Sequence, residues 1–299
     1  MSVTATARVD VYTRVTNRIV DALERGVRPW FQPWNAENAA GRITRPLRHN
    51  GQPFRGINVL MLWAAAEDHG FSCPYWLTFQ QVKELGGHVR KGEHGSPVVY
   101  ANTFTKTGTN DAGEEVEQEI PFLRQYVSFN AEQCDGLPKH FYALAEPPKE
   151  KVERIAHADA FFAHPKAEIQ TGGNRAYYAI EGDYVRMPPI EAFRDGESYV
   201  AVLAHEITHW TRHPSRLARD FGRKKWGDEG YAVEELVAEL GSAYLAADLA
   251  ITPEVREDHA AYIASWLKVL KDDKRAIFSA ASHATRAVDY LHGLQPKAE

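Results

Sequence analysis

The chain of 299 residues contains only two cysteines, Cys73 and Cys134, far apart and in no Cys-x-x-Cys pair. That leaves no basis for a disulfide framework or a cysteine-built zinc site, and it fits a reduced, cytoplasmic protein. No run of about eighteen apolar residues is present, so no membrane span is expected. The opening segment MSVTATARVD is polar and lacks the apolar core of a secretory signal. Internal repeats and low-complexity tracts are absent too.

What remains is ordinary globular material, 44% hydrophobic and 25% charged, long enough for one large or two medium domains. The net charge of −5 argues against a generic nucleic-acid binder, but it hides an asymmetry. Between Arg14 and Arg55 stand eight arginines against Asp21, Glu24 and Glu37. The acidic excess lies in DAGEEVEQEI (111–120) and through the last third.

Apolar periodicity predicts an amphipathic helix over 8–26, built on Val11, Val15, Ile19, Val20 and Leu23. The stretch 28–56 is rich in Pro, Gly and Asn and reads as a long loop. Helices follow at INVLMLWAAAEDHG and at 78–87, the latter capped by Thr78. Strands are expected at 96–104 and 121–130, joined by an acidic hairpin tip. Pro147 and Pro148 lie in a polar stretch that marks the domain boundary, giving domains 1–145 and 146–299. The second half opens with a helix from Val152 to Ala163 and a hairpin at 176–188 turning at Glu181-Gly182-Asp183. Helices are predicted over 197–212, 231–250, 254–271 and 273–293.

The most informative stretch is VLAHEITHWTRH, 202–213. In a helix, residues four apart share a face, so His205 and His209 project together with room for one tetrahedral Zn²⁺ between them. Glu206 stands beside them, placed to act as general base toward a water activated by that cation. A catalytic zinc takes a third protein ligand, and helix 231–249 offers it. Its stripe of Val233, Leu236, Val237, Leu240 and Tyr244 is meant for burial, yet Glu235 and Glu239 interrupt it four apart. Burying a carboxylate costs several kcal/mol unless it is paired or bound to a metal. Glu235 is therefore the candidate ligand, with Glu239 accepting the N–H of a ligating histidine. Two competitors are weaker: Glu234 points about a hundred degrees away, and His213 precedes Pro214, which ends the helix. The plain alternative is that Glu234, Glu235 and Glu239 form a solvated face. The hairpin YYAIEGDYVRMP supplies an edge to which an extended peptide can add. None of its tyrosines is assigned a chemical role.

In 28–56 the arginines interleave with Trp30, Phe31, Trp34 and Phe54. Arginine clamps phosphates and aromatic rings stack on unpaired bases, a combination suited to single-stranded nucleic acid. The candidate DNA contacts are Arg28, Trp30, Trp34, Arg42, Arg45, Arg48 and Arg55, joined by Arg90 and Lys91 on the glycine-rich loop GGHVRKGEHGSP. The rival view makes the aromatics core and the arginines ordinary surface.

The segments FRGINVLMLW, TFQQVKELGGHVRKGEHGSPVVY, FNAEQCDGL, MPPIEAFRDGESYVAVLAHEITHWTRHPSRL and EELVAELGSAYL resemble the ArdC-type antirestriction proteins of conjugative plasmids, in order and along nearly the whole chain. The resemblance implies an α+β protein: an N-terminal, mixed α/β, single-stranded-DNA-binding domain followed by a mostly helical, zincin-like, Spartan-related metallopeptidase domain with a small sheet. It carries metal ligation onto His205, His209 and the glutamate of EELVAE, and the general-base role onto Glu206. The choice of Glu235 within that string rests on helix geometry. The expected cofactor is Zn²⁺, with Mn²⁺ or another divalent ion as alternative. The expected partners are single-stranded DNA and a protein or peptide substrate, with no membrane. A DNA-mimic reading fails because the negative charge is too dilute. A pure DNA-coating role with a structural or vestigial metal is the rival retained.

Overall fold

The structure, a computed structural model, describes residues 10–30, 44–109, 115–142, 151–222, 229–251 and 259–296. Among them run helices α1 (Val11–Glu24), α2 (Ile57–His69), α3 (Phe79–Glu84), α4 (Lys151–Ala163), α5 (Gly196–Trp210), α6 (Glu229–Asp248), α7 (His259–Asp272) and α8 (Ala276–Gly293). The strands are β1 (Leu47–Arg48), β2 (Tyr75–Thr78), β3 (His88–Val89), β4 (Ser96–Thr109), β5 (Glu115–Asn130), β6 (Cys134–Asp135), β7 (Glu168–Thr171), β8 (Tyr177–Ala179) and β9 (Tyr184–Met187). The α+β class expected from the sequence holds.

Local chemistry sets the helix ends. Asp10 caps α1 by accepting from the Thr13 backbone N–H, and Asp195 caps α5 through Ser198. Thr78 and Gln81 form a reciprocal capping box on α3. Gly70 closes α2 in the left-handed conformation, at φ 71°, that a side chain would resist.

A four-stranded sheet runs β1-β2-β5-β4, with β1 and β2 parallel and the other neighbours antiparallel. Beside it α2 is locked to β4, because the Asn58 side chain donates to the Val99 carbonyl and accepts from the Val99 N–H. In the second half, β9 sits between β7, its parallel partner, and β8, so among the described residues β8 is an edge strand of this sheet. Helices α1 and α2 share one apolar core with α4 to α8, drawing Ile19, Leu60, Trp63, Tyr244, Trp266 and Leu291 together. A smaller cluster gathers Leu77, Val82 and Phe141. Cys73 and Cys134 are free and buried, and burial pushes both thiols up to about 11.

Three differences from the sequence expectations have physical causes. The hairpin strands are longer than 96–104 and 121–130, because the threonine-rich continuation of β4 pairs in register as far as Thr109 with Glu115. β1 emerges inside the expected loop because Leu47 and Arg48 pair with Tyr75 and Trp76. β7 was not expected, since it pairs in parallel with β9 across the intervening β8 rather than in a hairpin. The hairpin tip at 110–114, the boundary at 143–150 and the start of the helix expected over 254–271 lie outside the described residues.

Candidate metal centre

Helices α5 and α6 approach unusually closely. A Cβ on Gly241 of α6 would stand 2.5 Å from Cγ2 and 2.9 Å from Oγ1 of Thr208 on α5, so only glycine permits this contact. The approach brings the polar faces of both helices to one point. His205 Nε2 lies 3.2 Å from His209 Nε2 and 3.5 Å from Glu235 Oε2, and His209 Nε2 lies 3.4 Å from Glu235 Oε1. Tetrahedral bonds of about 2.0–2.1 Å set ligand atoms about 3.3 Å apart, so this triangle matches one face of such a polyhedron. Among the described residues these three form the one cluster with metal-binding spacing.

Each histidine has a carboxylate behind it. Glu234 Oε1 lies 3.0 Å from His209 Nδ1. Arg219 grips the same carboxylate from Nε at 2.7 Å and Nη2 at 2.8 Å, and also donates to the Thr208 carbonyl and the Thr211 hydroxyl. Glu239 Oε2 stands 3.8 Å from His205 Nδ1, while its other oxygen accepts from Arg28 at 2.9 Å and from the Trp30 indole at 3.4 Å. The Glu234 contact fixes the tautomer and orientation of the His209 imidazole, whereas Glu239 at 3.8 Å makes no hydrogen bond to His205 Nδ1, so the N–H bond expected of Glu239 is not formed.

The electrostatics are those of a site built around positive charge. Burial opposes the His209 imidazolium, but Glu235 and Glu234 outweigh it and push the ring up to about 10. Burial would raise Glu234, yet Arg219 and His209 hold it down to about 2. Against the same burial, His209 and His205 hold Glu235 well below the usual carboxylate range. A divalent cation would supply that charge directly and replace the proton on His209.

Over the triangle lies a cavity of about 240 Å³ lined by Glu206, Arg212, Tyr231, Tyr262 and the β8 residues Tyr177 and Tyr178. Tyr231, one turn before Glu235, shares a hydroxyl contact of 3.0 Å with Tyr262. Burial and the nearby Glu235 push the Tyr231 phenol above its ordinary value. Sequence reasoning missed both tyrosines, although the i, i+4 spacing of Tyr231 and Glu235 carried the signal for one. It also missed Glu234 and Arg219 as the support of His209. The alternative of a solvated face for Glu234, Glu235 and Glu239 fails, since all three are buried. His213 turns to Ser215 at 2.7 Å and lies outside the triangle.

The expected DNA contacts divide sharply. Arg28 and Trp30 are interior, bound to Glu239, and Trp30 packs edge-on against Trp266 with ring centres 5.8 Å apart. Arg45 is buried in a paired contact with Asp248 at 2.6 and 2.7 Å. These three are corrected from DNA contacts to interior groups: arginines and indoles in a loop satisfy buried carboxylates as readily as phosphates. Arg55 is exposed and pairs with Asp289, and Arg90 pairs with Glu93 at 2.9 Å. Arg48 and Lys91 are exposed. Trp34 and Arg42 lie outside the described residues. No helix among those residues is long and apolar enough to cross a membrane.

Comparison with known proteins accords with this geometry. Residues 9–129 match the family described as the N-terminal domain of anti-restriction factor ArdC, and residues 156–283 match a family of zincin-like metallopeptidases. An uncharacterized protein, y4eC, of Sinorhizobium fredii (strain NBRC 101917 / NGR234) is 40% identical over 97% of this chain and 94% of its own. DNA primase TraC of Escherichia coli is 34% identical over 96% of this chain, which spans 27% of that longer protein. The crystal structure of antirestriction protein ArdC from plasmid R388, metal-free, is 45% identical with a TM-score of 0.79, covering 95% of this chain and 97% of that one. Its Mn(II)-bound form is 44% identical with a TM-score of 0.77, covering 95% and 98%.

Proposed function

We propose, since the chain belongs to the ArdC family of antirestriction proteins, that it binds incoming single-stranded DNA, protects it from restriction, and carries a divalent-cation peptidase site in its cleft. The observation that carries the peptidase reading is the triangle of His205, His209 and Glu235 donors, 3.2, 3.4 and 3.5 Å on its sides. Zinc suits two imidazoles and a carboxylate, and the manganese held by the R388 protein makes that ion the second candidate. When bound, the cation would polarise a peptide carbonyl and make water more acidic.

The chain's own groups supply the rest. Glu206, in the wall of the cavity beside both histidines, takes the proton of the attacking water and returns it to the leaving amine. Tyr231, with Tyr262 against its hydroxyl, donates to the carbonyl oxygen as negative charge develops there. An extended chain adds along the edge strand β8, whose Tyr177 and Tyr178 form one wall of the cleft.

Substituting Glu206→Gln separates these roles. Metal content should remain that of the parent while peptide cleavage falls by about 10²–10⁴-fold, the usual share of a general base. A variant that keeps its metal and cleaves at the parental rate contradicts the assignment. One observation favours a second reading: His205, His209 and Glu235 are only 6%, 8% and 8% exposed, under a cavity of about 240 Å³. Donors this buried also suit a structural cation in a DNA-coating protein. In that case Glu206→Gln plasmids transfer normally into a restricting host; failed transfer supports cleavage.

A further inference from the structure

With Arg28, Trp30 and Arg45 interior, the surface that meets unpaired bases lies elsewhere, and the exposed aromatic groups show where. On β4 and β5 side chains alternate between the two faces of the sheet. Tyr100 stands opposite Arg124, with Asn102 opposite Phe122 and Val98 opposite Tyr126, so Tyr100, Phe122, Arg124 and Tyr126 share one face. Their rings form a row: Tyr100 lies 6.4 Å from Tyr126 and 6.1 Å from Phe122 between ring centres. Tyr100 and Tyr126 are 47% and 44% exposed, a large apolar surface to leave in water.

Two cations flank the row. The Arg124 guanidinium sits 5.2 Å over the Phe122 ring, and that of Arg48 sits 5.5 Å over Phe54. Both are exposed, and neither pairs with a carboxylate among the described residues. Glu117 and Glu119 fall on the opposite face by the same alternation, so the aromatic face is the one free of their charge. At the Tyr126 end the row opens into a cavity of about 360 Å³ floored by Trp76, Phe54 and Val98 and rimmed by Arg48, Tyr100 and Tyr126. That volume lies within the range of about 300–1,000 Å³ typical of small-ligand sites, with room for a base.

From this geometry we infer that the Tyr126–Tyr100–Phe122 row stacks successive unpaired bases of single-stranded DNA, that Arg124 and Arg48 hold the flanking phosphates, and that the cavity receives one terminal base. The inference rests on the single-stranded-DNA reading above and gives it a location. Sequence-tolerant stacking on exposed rings beside a cationic edge is how single strands are gripped without base-specific hydrogen bonds.

Fluorescence anisotropy with labelled oligothymidylate tests it on the full chain. Tyr100→Ala and Tyr126→Ala, both at exposed positions, should each weaken binding by about 5- to 150-fold, the equivalent of one lost stack. Tyr100→Phe should bind within about twofold of the parent, since the ring is kept. Arg124→Gln should lower the slope of log affinity against log salt by about one. A strand of abasic residues should lose affinity for the parent and bind the two alanine variants no worse than it binds the parent. Parental affinity in both alanine variants overturns the inference and leaves the DNA reading standing. Equal binding of abasic and oligothymidylate strands overturns it as well. A parent that binds no oligothymidylate even at about 50 mM salt overturns both.

Discussion

Replacing Glu234 by glutamine should weaken the fold and loosen the cation by separable amounts. In the parent, Glu234 accepts from Arg219 at 2.7 and 2.8 Å and holds His209 Nδ1 at 3.0 Å, with Arg219 and Glu234 both buried. Glutamine keeps the shape and removes the charge, leaving the Arg219 guanidinium buried without its counter-ion. Breaking one side of a buried pair costs about 3–5 kcal/mol. An independent route gives a similar figure. The carboxyl is held at about 2 against an ordinary 4.5, a difference worth about 3 kcal/mol. Because the folded value is depressed, that stabilisation is complete above pH 4.5 and is lost as the pH falls toward about 2. The variant's stability should therefore be flatter with pH across that window. Losing the carboxylate behind a ligating histidine lowers metal affinity by about 10- to 100-fold, or about 1.4–2.7 kcal/mol. Thermal unfolding with chelator and with saturating Zn²⁺ separates the two: the chelated midpoint reports the fold, and the gap between midpoints reports the cation. An unchanged gap in a folded variant refutes the claim that Glu234 positions His209.

Other consequences follow from the same contacts. Gly241→Ala should push α5 from α6, destabilise by about 1–3 kcal/mol and weaken the metal, because its Cβ would sit 2.5 Å from Thr208 Cγ2. Adding Thr208→Ala, which removes both the methyl and the hydroxyl that crowd the new Cβ, should restore part of both, and a Gly241→Ala variant with parental metal affinity contradicts the close-approach argument. Since His209 is pushed up to about 10, it holds a proton at neutral pH that an incoming cation must displace. Calorimetric titration at pH 7 should show an apparent binding enthalpy that depends on the buffer, with about one proton released per ion; no buffer dependence would contradict this. Trp30→Ala should cost about 3–5 kcal/mol of stability, while the protein that still folds keeps parental affinity for single-stranded DNA. Weakened DNA binding by folded Trp30→Ala protein would return that indole to the DNA surface.

Much of the site was legible because helix periodicity is a strict ruler. His205 and His209 four apart, and Glu235 and Glu239 four apart on an otherwise apolar helix, had to project in pairs, and a buried carboxylate pair needs a partner. What periodicity does not encode is how two helices face one another. That Glu235 enters the triangle while Glu234 stands behind His209 is visible only once α6 lies against α5 at the Gly241–Thr208 approach, which no single helix reveals. The arginine-rich loop misled for a related reason. Composition alone does not tell a guanidinium reaching a phosphate from one neutralising an interior carboxylate, and Arg28 and Arg45 do the latter across more than two hundred residues of chain. The aromatic row was not legible in the sequence because Tyr100, Phe122 and Tyr126 align only once β4 and β5 are in register. The short strands β1, β3 and β6 are set by distant partners, and β7 by a parallel partner beyond β8, so nothing in their own few residues announces them.

An anomalous-scattering map from crystals of the full chain soaked in Zn²⁺, with a second set in Mn²⁺, tests the central claim most directly. One peak is predicted, about 2.0–2.2 Å from His205 Nε2, His209 Nε2 and a Glu235 carboxylate oxygen, with Glu234 outside its coordination sphere. A map with no peak beside either imidazole, or with Glu235 turned away from the peak, would contradict it.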